Sequence, residues 1–137
     1  WKPMLQSVMS VVTQTKSILL IDDEPSIREL VRVCLHDLAG WQVTTAPNAQ
    51  TGLQCLEKEC PDVILLDVLM PGMDAVTFIH KLRENSTTQA IPVILLTVRA
   101  RWFSSAKLEE LGVREAISKP FNPLTLSTEI AQTLGWS

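Results

Sequence analysis

An unbroken apolar run that ends in a single carboxylate constrains this chain more than any other feature. Residues 63–66 read Val-Ile-Leu-Leu, Asp67 follows at once, and the turn-forming pair Pro71-Gly72 comes shortly after. Such a run is typical of a strand that is buried on both faces, as in a parallel sheet covered by helices. Asp67 then lies at the carboxyl end of the strand, where open α/β sheets gather their functional groups. It is therefore the first candidate for a functional residue.

Four further strands are predicted, and stretches with helical periodicity follow the strands. The strands are predicted at residues 18–21, 41–46, 92–97 and 115–118. The first helix is predicted after Pro25 and ends near Gly40, and the second runs from the cap Asn48 to Cys60-Pro61. The third follows Asp67 and ends in the polar loop 85–89. The last two run from about Phe103 to Leu111 and from about Pro123 to Leu134. The apolar faces of the first and third helices comprise Ile27, Leu30, Val31, Cys34, Leu35 and Leu38, and Val76, Phe78, Ile79 and Leu82.

Five strands alternating with five helices through short connections predict an α/β fold of one domain. We expect a doubly wound five-stranded parallel sheet of order 2-1-3-4-5, covered by helices on both faces and flavodoxin-like. This domain spans residues 17–137. Residues 1–16 form an N-terminal extension, a linker or a vector-derived remnant, and a short amphipathic helix is possible there from apolar residues at helical spacing.

Composition narrows the classes of partner. The formal net charge of -3 argues against nucleic acid or an anionic membrane as the main partner, because both select basic surfaces. No apolar run approaches the roughly 20 residues of a membrane helix, and no signal peptide is recognisable, so a cytoplasmic location is expected. Cys34, Cys55 and Cys60 lack a C-x-x-C pair, which predicts buried free thiols.

Polar residues follow four of the five predicted strands. Asp22 and Asp23 end the first strand, Asp67 the third, Thr97 the fourth and Lys119 the fifth. Since the carboxyl ends of parallel strands meet at one edge, and strands 1 and 3 are neighbours at the switch point, these side chains are expected to form one site.

The chemistry of this site follows from its charges. Two carboxylates about 4 Å apart repel by about 4 kcal/mol at an effective dielectric near 20, so three ionised acids require a cation. Oxygen ligands without His or Cys suit Mg²⁺. Lys119 and Thr97 provide a charge and a hydroxyl that can hold phosphoryl oxygens. Together these are the parts needed to accept a phosphoryl group on a carboxylate as an acyl phosphate.

The segments that carry this site are similar to those of a known family. Ile-Asp-Asp-Glu, Leu-Leu-Asp-Val-Leu-Met-Pro-Gly-Met-Asp, Leu-Leu-Thr and Ser-Lys-Pro-Phe, in this order over about residues 16–134, resemble the receiver domain of two-component response regulators. The resemblance implies that Asp67 accepts the phosphoryl group of a histidine kinase or a histidine phosphotransfer protein. It also implies a signalling switch rather than an enzyme, whose output is protein contact or a phosphate relay to another histidine. A homodimer through the fourth helix, fifth strand and fifth helix is one such contact.

The resemblance further implies a role for each site residue. Asp23, Asp67 and the backbone carbonyl of Leu69 would bind Mg²⁺ directly, and Asp22 would assist through water. Thr97 and Lys119 would hold the phosphoryl oxygens, and the peptide bond between Lys119 and Pro120 would be cis.

The sequence departs from the family pattern at several positions around this site. Ala116 stands where many receivers carry an aromatic residue that relays phosphorylation, so the usual relay is incomplete. Branched Val98 narrows access to the phosphoryl group, and Leu69 and Arg99 flank the path of an attacking water. Because an apolar Leu69 cannot orient that water, we expect a slowly hydrolysed acyl phosphate.

Alternative functions remain open at this point. The chain could be a pseudo-receiver that only binds partners, although its complete acidic set argues against this. An aspartate-nucleophile phosphohydrolase of the haloacid dehalogenase type needs a second acid two residues after the nucleophile, where this chain has Leu69. A flavin or nucleotide carrier would need a glycine-rich phosphate loop, which the sequence lacks. The chain could also be a stand-alone regulator or part of a larger protein.

Overall fold

The computed structural model describes residues 15–69 and 72–136 of the chain. Five strands form one parallel sheet: β1 Ser17–Ile21, β2 Gln42–Ala46, β3 Val63–Leu66, β4 Val93–Thr97 and β5 Glu115–Ser118. Their order is β2-β1-β3-β4-β5, which confirms the predicted topology. The helix considered possible within residues 1–16 lies almost wholly outside the described residues.

Five α-helices connect and follow the strands. They are α1 Pro25–Arg32, α2 Ala49–Lys58, α3 Ala75–Glu84, α4 Ser105–Leu111 and α5 Leu126–Leu134. A wider π-type turn, Val33–Asp37, continues α1, and a short 3₁₀ turn, Ala100–Trp102, precedes α4. The alternation of strands and helices therefore follows the prediction.

Local capping interactions set five of the ten ends of these helices. The side chains of Asn48, Asp74 and Ser104 accept hydrogen bonds from backbone N–H groups in the first turns of α2, α3 and α4. α4 and α5 end at Gly112 and Gly135, whose φ angles of 74° and 71° favour glycine. α4 begins at Ser105, two residues later than the predicted start near Phe103, because Ser104 is its N-cap.

The apolar strands separate two cores, one on each face of the sheet. Side chains alternate along β1, so that Leu19 and Ile21 pack with residues of α2, α3 and α4, whereas Ile18 and Leu20 pack toward α1 and α5. β3 and β4 are buried throughout their lengths. This burial on both faces explains their unbroken apolar sequences and fixes the position of the residues that follow them.

Three residues assigned to apolar helix faces are exposed, so the prediction was wrong for them. Leu30, Leu38 and Val76 have exposed fractions of 38%, 61% and 44%. Leu38 follows the π-type turn, which has more residues per turn than an α-helix and so rotates later residues away from the core. Val76 lies in the first turn of α3, on the opposite side of the helix from buried Phe78.

The prediction of three buried thiols was also wrong in part. All three cysteines are free, but only Cys34 is buried, while Cys55 is half-buried and Cys60 is exposed. Cys34 lies on the inner side of the turn after α1, whereas Cys60 follows the end of α2 in the connection to β3.

No helix within residues 15–69 and 72–136 is long and apolar enough to cross a membrane.

Candidate functional site

The functional side chains are fixed by backbone hydrogen bonds that extend the sheet. The N–H of Asp22 donates to the carbonyl of Ala46 at 3.0 Å, and that of Asp67 donates to the carbonyl of Ile21 at 2.9 Å. The N–H of Lys119 donates to the carbonyl of Thr97 at 3.0 Å. Because the ladder continues one residue beyond the strands, these side chains start from well-defined positions at the carboxyl edge.

Lys119 is the centre of the cluster. Its Nζ lies 2.5 Å from Oδ2 of Asp22, 3.5 Å from Oδ2 of Asp67 and 3.7 Å from Oε1 of Glu24. The exposed fractions of Asp22, Asp67 and Lys119 are 0%, 4% and 8%. A charged group this deeply buried requires a partner of opposite charge, and the carboxylates and the ammonium supply each other.

Burial and neighbouring charges shift two pKa values. Burial raises the pKa of the Asp67 carboxyl, and the negative charge of Asp22 adds to the rise. The hydrogen bond from the N–H of Leu69 and the charge of Lys119 oppose it without cancelling it. Burial alone would lower the pKa of Lys119, but its hydrogen bond to Asp22 and the nearby carboxylates raise it overall. Lys119 therefore stays a cation at neutral pH.

Each buried carboxylate is oriented by a backbone N–H two residues later. The N–H of Glu24 donates to Oδ1 of Asp22 at 2.9 Å, and the N–H of Leu69 donates to Oδ1 of Asp67 at 3.1 Å. In both cases Oδ2 is the atom nearest Lys119. The carboxylates thus face one another across the ammonium.

The acids form a set of oxygen donors suited to a hard cation. Asp22, Asp23, Glu24 and Asp67 each offer one oxygen, and these oxygens all lie within 4.8 Å of one another. Lys119 offsets only one of the four negative charges, so a divalent cation fits the remaining charge. An all-oxygen set with two exposed members suits Mg²⁺, which keeps several of its waters. The role predicted for the Leu69 carbonyl stays a prediction.

Thr97 is fully buried at the end of β4. Its Oγ1 accepts a hydrogen bond from the N–H of Arg99 at 3.1 Å, which leaves the hydroxyl proton available to a further acceptor. Thr97 also lies on the strand beside β3, the strand that carries Asp67. The structure therefore places all five sequence-predicted side chains, including exposed Asp23, at the same edge.

Two residues at this site, Glu24 and Arg28, were not predicted from the sequence, and for Arg99 the position was predicted but not its contact. Glu24 belongs to the acidic set, and its position directly after Asp23 was a usable signal. Arg28 donates from Nη1 to the carbonyl of Asp22 at 2.8 Å. Arg99 binds Thr97 through its backbone. No sequence pattern predicts the contacts of the two arginines, because these contacts depend on the path of the backbone after β1 and β4.

The positions that depart from the family pattern can also be located. Ala116 is half-buried on β5, pairs with Leu95 of β4 and packs against the core beneath α2, α3 and α4. Leu69 and Val98 have exposed fractions of 49% and 62%. The peptide bond between Lys119 and Pro120 is cis, as the resemblance implied.

Known proteins share both this sequence pattern and this fold. The family model of the response regulator receiver domain matches residues 18–131. Response regulator Rre1 of Synechocystis sp. is 35% identical over 118 residues, which cover 86% of this chain and 51% of that protein. The chain thus spans about half the length of that relative.

Two solved structures extend the comparison to three dimensions. Chemotaxis protein CheY4 of Vibrio cholerae matches with a TM-score of 0.79 and 32% identity, over 87% of this chain and 98% of that one. Response regulator protein TrrA of Thermotoga maritima, in complex with Mg(2+)-BeF, matches with a TM-score of 0.72 and 29% identity, over 86% and 98%.

Proposed function

The chain belongs to the response regulator receiver domain family, and from this premise we propose that it accepts a phosphoryl group on Asp67 and thereby switches its protein contacts. One observation carries the proposal above all others. The buried carboxylate of Asp67 lies 3.5 Å from the Lys119 ammonium, within an all-oxygen cluster suited to a divalent cation. A nucleophile, a positive charge and a metal-binding set are thereby brought together at one edge of the sheet.

The donor is a phosphorylated histidine of a kinase or a phosphotransfer protein. A free oxygen of Asp67 attacks phosphorus, the new O–P bond forms as the N–P bond breaks, and the electron pair of that bond returns to the imidazole. The imidazole then takes up a proton from solvent. The product is an acyl phosphate on Asp67, and the transfer is balanced without an oxidant or a reductant.

The chain's own residues hold the transferred group. Lys119 is already shared among three carboxylates, so it can follow the charge as the charge moves from Asp67 to the phosphoryl oxygens. The free proton of the Thr97 hydroxyl donates to a second oxygen. Asp22, Asp23, Glu24 and Asp67 would hold Mg²⁺. When bound, this ion neutralises charge that develops on the phosphoryl group.

The proposal makes the chain a switch rather than an enzyme with an external substrate. Its only chemistry is the gain and loss of its own phosphoryl group. The output is a change of protein contacts on the region from Thr97 to α5, where a homodimer through α4, β5 and α5 is one form of contact.

Intact mass tests the proposal directly. The wild-type chain, incubated with Mg²⁺ and a small-molecule phosphodonor such as acetyl phosphate, is expected to gain one phosphoryl group. Asp67→Asn is expected to gain none, because the amide is not a nucleophile of this kind. The matched control Asp62→Asn changes an acid at the opposite end of β3 and is expected to behave as the wild type. No mass gain in the wild type, or equal gain in Asp67→Asn, would instead support a pseudo-receiver that only binds partners.

A further inference from the structure

Arg99 carries an unused side-chain hydrogen-bond donor, and its backbone contacts Thr97 of the acceptor site. Its Nε is buried and has no hydrogen-bond partner among the described residues. Its guanidinium carbon lies 3.9 Å from the centroid of the Trp102 ring, so the cation stacks on an aromatic face instead of binding an anion. A buried N–H without an acceptor is unfavourable, since water has been removed from it and nothing has replaced the water. The side chain is therefore a donor for which the described residues provide no acceptor.

Backbone hydrogen bonds connect Arg99 to Thr97 of the site and to Trp102. Its N–H donates to Oγ1 of Thr97 at 3.1 Å, and its carbonyl accepts from the N–H of Trp102 at 2.9 Å. The carbonyl of Thr97 in turn binds the N–H of Lys119. One short segment thus joins the two proposed phosphoryl-holding residues to the Trp102 ring, which is 68% exposed.

Phosphorylation changes which partner the guanidinium prefers. An acyl phosphate carries more negative charge than the carboxylate it replaces and offers three strong acceptor oxygens. Charge-assisted hydrogen bonds from a planar guanidinium to such oxygens are stronger than a stack on an exposed ring. On the basis of the proposed function, we propose that Arg99 is a second cationic ligand of the phosphoryl group and that its guanidinium leaves Trp102 when this group is present.

Trp102 is then the side chain that reports the state of the site. It lies in the turn between β4 and α4, and it loses a stacked cation when Arg99 moves. β5 carries Ala116 and so offers no aromatic side chain at that position. The aromatic group whose surroundings depend on phosphorylation is instead Trp102, on the surface next to α4. A partner that binds this surface would distinguish the two states through the exposed Trp102 ring.

Fluoroberyllate with Mg²⁺, a stable analogue of the phosphoryl group, provides the test. Tryptophan emission of the wild-type chain is expected to change on titration, and Trp102→Phe is expected to lose most of this change while binding the analogue. Arg99→Gln is expected to weaken the apparent affinity by about tenfold, the scale of a lost charge-assisted pair. Arg99→Lys keeps the charge without the fork and is expected to restore part of the affinity. Arg101→Gln removes an exposed charge from the same turn and is expected to stay within about twofold of the wild type.

The outcomes separate this inference from the proposed function. If the wild type gains a phosphoryl group on Asp67 but Arg99→Gln binds the analogue as Arg101→Gln does, the inference fails and the proposed function stands. An emission change that persists in Trp102→Phe overturns the role of Trp102. If the wild type gains no phosphoryl group by intact mass, both fail. Circular dichroism of each variant excludes misfolding, and Arg99→Lys supplies the comparison if Arg99→Gln does not fold.

Discussion

Three charged residues of this site, Asp22, Asp67 and Lys119, are buried, so each of them lowers the stability of the fold unless a group of opposite charge lies beside it. Asp67 is ionisable, 4% exposed and close to the carboxylate of Asp22. Lys119 compensates both acids only in part, because one ammonium is shared by three carboxylates. The negative charge that Lys119 leaves uncompensated is electrostatically unfavourable by itself. The same negative charge makes the site suited to a divalent cation, which in turn can hold a phosphoryl group.

Replacing Asp67 by a neutral amide is expected to stabilise the fold in the absence of Mg²⁺. The folded-state pKa of Asp67 is raised by burial, so its favourable contribution is complete only below the unfolded pKa near 3.8 and is lost as pH rises through the folded pKa. At pH 7 Asp67→Asn should therefore raise the free energy of unfolding, on the order of 1 kcal/mol. Urea unfolding in EDTA measures this.

The expected gain from Asp67→Asn has a specific pH dependence. It should shrink as pH falls toward 4, because the wild-type carboxyl then takes up its proton in the folded state as well. Glu110→Gln removes an exposed acid of α4 as the matched control and should change the free energy of unfolding by less than about 0.5 kcal/mol. An Asp67→Asn variant no more stable than the wild type at pH 7 would contradict the expectation.

Leu69 is expected to slow the hydrolysis of the acyl phosphate. It follows Asp67 by two residues, its N–H binds Oδ1 of Asp67, and its half-exposed side chain has no polar atom to orient a water. Leu69→Asn supplies such an atom and should speed dephosphorylation on the order of tenfold, the effect of one hydrogen bond made in the transition state. Leu124→Asn, at an exposed leucine in the connection to α5, is the control. The decay of phosphorylated protein in Mg²⁺ measures both, and equal lifetimes would refute the role of Leu69.

The predictable part of the site is the part that strand ends determine. Asp22, Asp67, Thr97 and Lys119 each follow or end an apolar strand, and a parallel sheet brings such positions to one edge whatever the loops do. The contacts of Arg28 with the carbonyl of Asp22 and of the Arg99 N–H with Thr97 depend on the local path of the backbone, which the periodicity of the sequence does not contain. Asp23 was also predicted from its place at the end of the first strand, whereas the membership of its neighbour Glu24 in the same cluster is seen only in the structure.

At the scale of elements, the type and order of the helices and strands could be predicted from the sequence. Which helix residues are buried could be predicted only in part. The caps Asn48, Asp74 and Ser104 fix the starts of three helices through local hydrogen bonds. The π-type turn after α1 is not indicated by the apolar periodicity of the sequence, so the exposure of Leu38 was not predicted.

Arg83 is expected to hold three elements together. Its Nη1 donates to the carbonyls of Gln89 and Ile91 at 2.9 and 2.8 Å, and its Nη2 donates to the carbonyl of Gly112 at 2.9 Å. The guanidinium thus joins the end of α3 to the segment before β4 and to the end of α4. Arg83→Met keeps the apolar stem but removes every donor, and should lower the free energy of unfolding by about 1 to 2 kcal/mol.

The comparison with neighbouring substitutions identifies the cause of this loss. Arg83→Lys should restore only part of it, because an ammonium lacks the planar fork that reaches carbonyls on two sides. Lys81→Met removes an exposed charge from the same helix and should leave the free energy of unfolding within about 0.5 kcal/mol of the wild type. If Arg83→Met and Lys81→Met unfold at the same urea concentration, the proposed clamp is not a source of stability.

At the scale of the whole molecule, the proposed metal site is expected to couple Mg²⁺ binding to folding. The residues of the metal-binding set come from the ends of β1 and β3, and they approach one another only when the sheet is formed. A ligand that binds the folded chain and not the unfolded one stabilises the fold in proportion to the logarithm of its concentration. Mg²⁺ at about ten times its Kd should therefore add about 1.4 kcal/mol to the free energy of unfolding.

Thermal unfolding at increasing Mg²⁺ concentration measures this coupling across the whole fold. The midpoint of the wild type should rise with concentration, whereas Asp67→Asn should show a smaller rise, since it lacks one carboxylate of the set. In EDTA, Asp67→Asn should therefore unfold at a higher temperature than the wild type. As the Mg²⁺ concentration increases, this difference should shrink and then change sign. Na⁺ at matched ionic strength controls for screening of the acids. A rise that Na⁺ reproduces, or one equal in both proteins, would show that the buried acids hold no specific cation and that their charges are balanced by Lys119 alone.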